Sequence, residues 1–244
     1  MVEPGARYEE LKIPLPRPIH DLTEVSAVLG IPEWWPTGSR TAVALAHGSS
    51  GGMEDPLLVH LQEFLTDSKY LTLRFNFPFW EARRPGKRAR PDRLSILEQT
   101  FVTALGVLNR DPTASPVHLF IGGKGLGARV AAQLATSRLR IDGAFFLGLP
   151  LHGLDRSDQI DADCLYRIVS PMLFIQGTRD RQCDIPTLQR TLTRIGAPTA
   201  LHLSDGADQN FRALKKSERS TEEVHGETTH AVANWLKRRL LETV

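Results

Sequence analysis

The sequence predicts an α/β protein with a mostly parallel sheet of about eight strands and helices on both of its faces. Two observations lead to this prediction. Short, almost continuously apolar segments recur along the chain, as strands buried on both faces require. Segments with apolar residues at helical spacing lie between them. Such alternation is typical of parallel sheets whose strands are connected through helices.

Six apolar segments are predicted as strands: residues 41–46, 71–75, 117–121, 144–149, 171–175 and 199–203. The intervening helices are recognised from apolar residues that recur every three or four positions, namely Leu57, Leu58, Leu61 and Leu65; Leu97, Phe101, Leu105 and Leu108; Val130 and Leu134; Leu188 and Leu192; and Val232, Trp235, Leu236 and Leu240. In the N-terminal segment, residues 1–40, apolar positions alternate, which predicts edge strands. We expect residues 41–244 to form an α/β domain and the whole chain to be one globular domain.

The amino-acid composition argues against several classes of protein. The 244 residues carry 30 Lys and Arg against 28 Asp and Glu, a net charge of +2 that predicts no nucleic-acid partner. Two cysteines, Cys164 and Cys183, are too few for a disulfide framework or a cysteine-rich zinc site. No His-x-His or His-Glu-x-x-His spacing predicts a metal site. Without an apolar run of spanning length or a signal-peptide pattern, we expect a cytoplasmic protein with no membrane partner.

Glycine-rich or polar loops follow four of the predicted strands. They are His-Gly-Ser-Ser-Gly-Gly at 47–52, Gly-Gly-Lys-Gly-Leu-Gly-Ala-Arg at 122–129, Gln-Gly-Thr-Arg-Asp at 176–180, and Ser-Asp-Gly-Ala-Asp-Gln-Asn-Phe at 204–211. Ligands of parallel α/β sheets bind outside the carboxyl ends of the strands. These loops are therefore the predicted functional site.

Five motifs give the chain a family resemblance. They are Ala-His-Gly at 46–48, Arg-Phe-Asn-Phe-Pro at 74–78, Gly-Gly-Lys at 122–124, Leu-Pro-Leu-His at 149–152, and Gln-Gly-Thr-Arg-Asp at 176–180. In this order the sequence resembles the α/β-hydrolases, specifically a bacterial branch related to dienelactone hydrolases and grouped with testis-expressed and NSL-complex hydrolase-like proteins. The resemblance covers residues 41–240 and implies the α/β-hydrolase fold.

The resemblance also identifies three catalytic positions, of which two have changed. The family's elbow pattern Gly-x-Ser-x-Gly reads Gly-Lys-Gly-Leu-Gly, which puts Gly125 at the nucleophile position. Gln209 stands at the base position, and the acid, Asp180, is retained. Glycine has no atom that attacks a carbonyl, and an amide cannot accept the proton. We therefore expect a noncatalytic member that binds a ligand or a partner.

The binding half of the family's site has counterparts here. The resemblance implies an oxyanion hole built from the amide of Leu126 and that of Ser49 or Ser50, with the loop residues His47, Gly48 and His152 nearby. Basic residues that follow two strand ends predict a rim that attracts anions: Arg83, Arg84, Lys215 and Lys216. The expected partner is a small acyl or anionic molecule, or a protein, and no cofactor is expected.

Other chemistries stay open at this point. His47, His152 or Asp180 could act as a relocated acid or base in a lyase, isomerase or cofactor-free decarboxylase step without a covalent intermediate. A hydrolase with a displaced nucleophile would use Ser49, Ser50 or Cys183. A hydrogen bond between Asp180 and Gln209 is a further expectation, because a buried carboxylate needs donors.

Overall fold

The computed structural model describes residues 5–84, 86–151, 162–214, 216 and 218–242. It has a mostly parallel sheet of eight strands with helices, so the predicted fold class is confirmed. The residues pack as two compact units, Met1–Ile121 and Gly122–Val244, which are described in turn. That residues 1–40 and 41–244 form one globular domain stays a prediction.

The first unit contains four full strands, β1 (Arg7–Ile19), β2 (Leu22–Ile31), β3 (Thr41–Ala46) and β4 (Leu71–Phe75). They pair in the order β1-β2-β4-β3, with β3 parallel to β4 and the other two pairs antiparallel. Every residue of β3 and β4 is buried, as the apolar pattern predicts.

Helices α1 (Pro56–Asp67), α2 (Pro78–Glu81) and α3 (Leu94–Leu108) complete this unit. Helix α1 begins where the sequence favours a start, because the Asp55 carboxylate accepts the Leu57 N–H at 3.2 Å and Pro56 occupies the first position. Its leucines at helical spacing are fully buried. Short 3₁₀ helices lie at Gly52–Glu54 and Pro112–Ala114 here and at Leu165–Arg167 in the second unit.

Strand β5 (His118–Lys124) ends in the second unit, followed by β6 (Gly143–Leu147), β7 (Met172–Gly177) and β8 (Thr199–Ser204). The order is β5-β6-β7-β8, with β6, β7 and β8 parallel. The helices are α4 (Leu126–Ala135), α5 (Ile185–Leu192) and α6 (Thr221–Glu242). Strand β6 stops two residues before its predicted end because Gly148, with φ 63°, turns the chain.

Candidate functional site

A sharp turn at Gly125 joins β5 to α4. Its backbone has φ 54° and ψ −110°, a left-handed φ that favours glycine. The Gly125 N–H donates to the Leu147 carbonyl at 2.8 Å, and the Gly125 carbonyl accepts the Arg129 N–H at 3.1 Å. A β-carbon at residue 125 would meet nothing within 4 Å beyond its chain neighbours. The turn thus points into open space at the position where a nucleophile would begin.

The glycines before this turn are under a different constraint. A β-carbon at Gly123 would collide with the backbone of Gly127 and Ala128, and one at Gly122 would collide with the Phe145 ring. Both residues must lack side chains so that β5 approaches α4 and β6 closely. Close packing therefore explains Gly122 and Gly123, whereas it does not explain Gly125.

Asp180 lies just after β7, and its side chain is buried. One carboxylate oxygen accepts the Gln182 N–H at 2.7 Å, and the other accepts the Gln176 side-chain amide. Burial raises the pKa of Asp180, the nearby Asp208 charge raises it further, and the two hydrogen bonds lower it. Within the described residues, the carboxylate is bonded to Gln176 and Gln182 and not to Gln209. Sequence reasoning missed Gln176, although a glutamine four residues before the acid in one motif was a signal.

The loop that carries Gln209 lies close to Asp180. Asp208 stabilises this loop by accepting the N–H groups of Asn210 at 2.8 Å and Arg212 at 2.9 Å. A β-carbon at Gly148 would lie 3.5 Å from the Gln209 carbonyl oxygen and 3.7 Å from an Asp180 carboxylate oxygen. Gly148 follows Leu147, which accepts the Gly125 N–H. The second unit therefore brings the three predicted triad positions together around Gly148.

His47, in the first unit, is fully buried. Its Nδ1 lies 2.6 Å from the Gly48 carbonyl and its Nε2 accepts the Phe77 N–H at 2.9 Å, which defines the neutral ring with the proton on Nδ1. Burial lowers the pKa of His47 to about 4. Phe77 and Phe79 pack around the ring, with centroids 4.9 and 5.6 Å away. Both nitrogens are thus engaged by backbone groups.

The loop after His47 is held in place by residues from other parts of the first unit. Met53 donates its N–H to Asn76 Oδ1 at 2.8 Å, and its carbonyl accepts Arg74 Nη1 at 2.7 Å. Gly52, with φ 59°, lies so close to the Trp80 indole that any side chain at residue 52 would collide with it. Ser49 and Ser50 are exposed on this loop. The Arg-Phe-Asn motif at 74–76 is therefore a structural support for the predicted binding loop.

The predicted basic rim and the start of α4 complete the set of predicted site residues. The Arg83 guanidinium stacks on Trp80, 4.1 Å from the ring centroid, whereas Arg84 and Lys216 are exposed. Leu126 is the first residue of α4, so its N–H has no acceptor within the helix. His152 and Lys215 lie outside the described residues.

Cys183, one of the three residues considered as an alternative nucleophile, is buried, and burial raises its pKa to about 12, with Asp180 and Asp184 adding to the effect. Among the residues with described positions, no group of three or more His, Cys, Asp or Glu side chains could hold a metal ion. Within the same residues, no helix combines the length and apolar content needed to cross a bilayer.

Comparison with known proteins agrees with this geometry. A family model described as "Alpha/beta hydrolase domain" matches residues 39–237, which is more than half of the chain. A structure of an α/β serine hydrolase homologue from Coxiella burnetii superimposes with a TM-score of 0.70 at 17% identity, covering 93% of this chain and 97% of that one.

Two further structures are similar. Dienelactone hydrolase from Anabaena variabilis has a TM-score of 0.67 at 18% identity, with coverages of 92% of this chain and 96% of that one. The esterase domain of a Rhodothermus marinus protein has a TM-score of 0.67 at 15% identity, with coverages of 95% and 98%. The match over residues 39–237 confirms the resemblance drawn from the motifs: this chain belongs to the α/β-hydrolase family.

Proposed function

We propose that this α/β-hydrolase-fold protein is a noncatalytic member that binds a small acyl or carboxylate ligand. The observation that carries the proposal is Gly125, which has the backbone of a strand-to-helix elbow and open space where a nucleophilic side chain would begin. Gln209 at the base position supports it, because a neutral amide cannot shuttle the proton that acyl transfer requires.

A binding role is supported by groups that suit an oxygen-rich ligand. The first N–H groups of α4, beginning at Leu126, have no acceptor within the helix, and the helix dipole makes this end attractive to carbonyl or carboxylate oxygens. In the first unit, Arg74 and Asn76 hold the loop that carries Ser49 and Ser50. Neither feature needs a nucleophile. A protein partner that presents a carboxylate would use the same chemistry.

A reaction that uses other residues as acid, base or nucleophile has less support. His47 has committed both ring nitrogens to backbone groups, and its low pKa keeps it neutral. Asp180 has committed both oxygens to Gln176 and Gln182. The Cys183 thiol has a pKa of about 12, so the thiolate needed for attack is scarce at neutral pH. A lyase-type or hydrolytic reaction would therefore need His152 or another group that these contacts do not restrain.

The proposal is tested by restoring the lost side chains. Gly125→Ser and Gln209→His are made singly and together, and each protein is assayed with p-nitrophenyl acetate and a fluorophosphonate probe. We expect the wild type and both single variants to remain at the buffer rate, because nucleophile and base act as a unit. The double variant should hydrolyse the ester and be labelled at position 125, since nothing obstructs a side chain there.

Two controls make this test decisive. Adding Asp180→Asn to the double variant should remove the gained activity, because the acid orients the base. Ligand binding is measured on the wild type by saturation-transfer NMR with butyrate, and Gly125→Leu should weaken the signal by filling the open space. Enzyme-like ester hydrolysis by the wild type, or phosphonate labelling at Ser49 or Ser50, contradicts the proposal.

A further inference from the structure

The two strands at the ends of the sheet order, β1 and β8, differ in how their edges are protected. Strand β1 contains three prolines, Pro14, Pro16 and Pro18, together with charged residues such as Lys12 and Arg17. Prolines and charges discourage pairing with another chain. Strand β8 reads Thr-Ala-Leu-His-Leu-Ser, with no proline and no Lys, Arg, Asp or Glu. Strand β8 therefore lacks the prolines and charged residues that protect the edge of β1.

The hydrogen bonds of β8 show which groups face outward. The Met172 N–H donates to the Pro198 carbonyl at 2.8 Å, and the Thr178 N–H donates to the Ser204 carbonyl at 3.0 Å. Bonding alternates along a parallel strand, so Ala200, His202 and Ser204 direct their backbone groups toward β7. Leu201 and Leu203 direct theirs away from it. In the described part of the chain, no strand pairs with that outer side.

Helix α6 leaves a groove beside this edge. The groove has a volume of about 700 Å³, and its lining includes His202 of β8 and Glu227, Asn234, Lys237 and Arg238 of α6. Leu241, at the end of the helix, also lines the groove and is 70% exposed. An exposed strand edge, a groove and a large exposed apolar side chain thus occur together along β8 and α6.

The charges along α6 are arranged in a self-complementary way. Glu223, Glu227, Asn234 and Arg238 follow one another at helical spacing and share one face of the helix. This face carries Glu223 and Glu227 near the start of the helix and Lys237 and Arg238 near its end. Glu227 is paired with Arg219 and His202, so Glu223 is the acidic residue on which the complementarity rests. When two such helices lie antiparallel, the acidic end of each meets the basic end of the other. A two-fold symmetric contact between identical chains requires this kind of self-complementarity.

We propose that a second copy of this chain docks on the β8–α6 edge. The two β8 strands pair antiparallel through the outward groups of Leu201 and Leu203, and the two α6 helices lie antiparallel beside them. Glu223 of each copy then faces Lys237 and Arg238 of the second copy. The same contact buries the apolar side chain of Leu241 and removes it from water.

The oligomeric state of the full chain tests this proposal by sedimentation equilibrium over a concentration range of about 1 to 100 µM. We expect twice the monomer mass of 27.2 kDa. Leu203→Pro removes one outward N–H without removing a β7 hydrogen bond, and should yield monomer. Lys237→Glu with Arg238→Glu should raise the dissociation constant about tenfold or more through like-charge repulsion.

Mixing two charge-reversed variants tests directly whether the proposed ion pairs form. Glu223→Lys should weaken its own homodimer through like-charge repulsion, although it also removes the acceptor of the Ser220 N–H at the start of α6. Its mixture with the Lys237→Glu/Arg238→Glu variant should nevertheless form heterodimer, because the new lysine at position 223 of one copy then faces the two new glutamates of the other. The matched control is Lys87→Glu/Arg88→Glu, which makes the same change in net charge on an exposed loop and should remain dimeric. Circular dichroism verifies that each variant is folded.

Three outcomes overturn the proposal. The first is a wild type that is monomeric over the whole range, in which case the edge would serve a strand from a different protein. The second is a dimer that persists in the folded Leu203→Pro and Lys237→Glu/Arg238→Glu variants. The third is a control variant that dissociates as much as the α6 variant, since net charge alone would then explain the loss.

Discussion

The His47 region of the first unit and the Gly125 region of the second differ in the kind of interaction that holds them. Around His47, both ring nitrogens and both backbone groups of Met53 have partners. Around Gly125, the backbone forms a sharp turn and the Asp180 carboxylate is hydrogen-bonded, while the predicted nucleophile and base positions are Gly125 and Gln209. The first region is held together through side chains, whereas the turn at Gly125 is held through its backbone.

The difference indicates which interactions maintain each region. His47 is needed for packing and for two hydrogen bonds, so its loss would leave buried backbone groups unpaired. The turn at Gly125 is maintained by backbone bonds to Leu147 and Arg129 and by the close approach of Gly123 to α4. None of these contacts uses a side chain at residue 125, so the turn does not depend on the chemistry of the residue there.

Substitutions at Gly123 and Gly125 should differ strongly in their effect on stability. Gly123→Ala should reduce the free energy of unfolding by about 3 kcal/mol, because its β-carbon meets the backbone of α4. Gly125→Ala has open space and should cost only about 1 kcal/mol for the left-handed φ. Urea unfolding measures both values. Equal losses would mean that structure, rather than lost chemistry, constrains residue 125.

Acid should destabilise the protein through His47. Its pKa is lowered from 6.5 to about 4, so below pH 6.5 the unfolded chain binds a proton that the folded chain does not. The stability contribution of neutral His47 is present above pH 6.5 and is lost as the pH falls toward 4, by about 3 kcal/mol.

Urea unfolding near neutral pH and near pH 4 checks this prediction in His47→Gln. That variant should lose some stability at neutral pH but show a flatter pH dependence than the wild type. The matched control, His60→Gln, removes an exposed histidine from α1 and should keep the wild-type pH dependence. An unchanged slope in His47→Gln would show that another group causes the acid sensitivity.

Asp180 should give the smallest effect. Its raised pKa means that burial disfavours the charged carboxylate, a penalty present at neutral pH and relieved as the pH falls through the folded-state pKa. Asp180→Asn should therefore leave stability at neutral pH unchanged or higher by up to about 1 kcal/mol. Thermal unfolding compares it with Asp163→Asn, an exposed control. A clear loss of stability would show that the charge itself stabilises the loop.

Much of the fold could be predicted from local patterns. The segments 41–46 and 71–75 are strands with the predicted bounds, because uninterrupted apolar runs leave few other ways to bury them. Strand β5 extends to Lys124, three residues past its predicted end, where glycines interrupt the apolar pattern. The Phe145 ring that lies against Gly122 is more than twenty residues away along the chain, so a local pattern does not reveal this contact.

Some features of the candidate site could likewise be predicted from the sequence, and others could not. The absence from Gly125 and Gln209 of the groups that acyl transfer needs could be read from the amino-acid sequence, since it follows from the chemistry of the two residue types. The tertiary structure was needed to show that Gln176, rather than Gln209, is bonded to Asp180, that His47 is neutral and enclosed, and that no described strand pairs with the outer side of β8. Hydrogen-bond partners, burial and exposed edges depend on which distant residues meet, and a linear pattern does not contain that information.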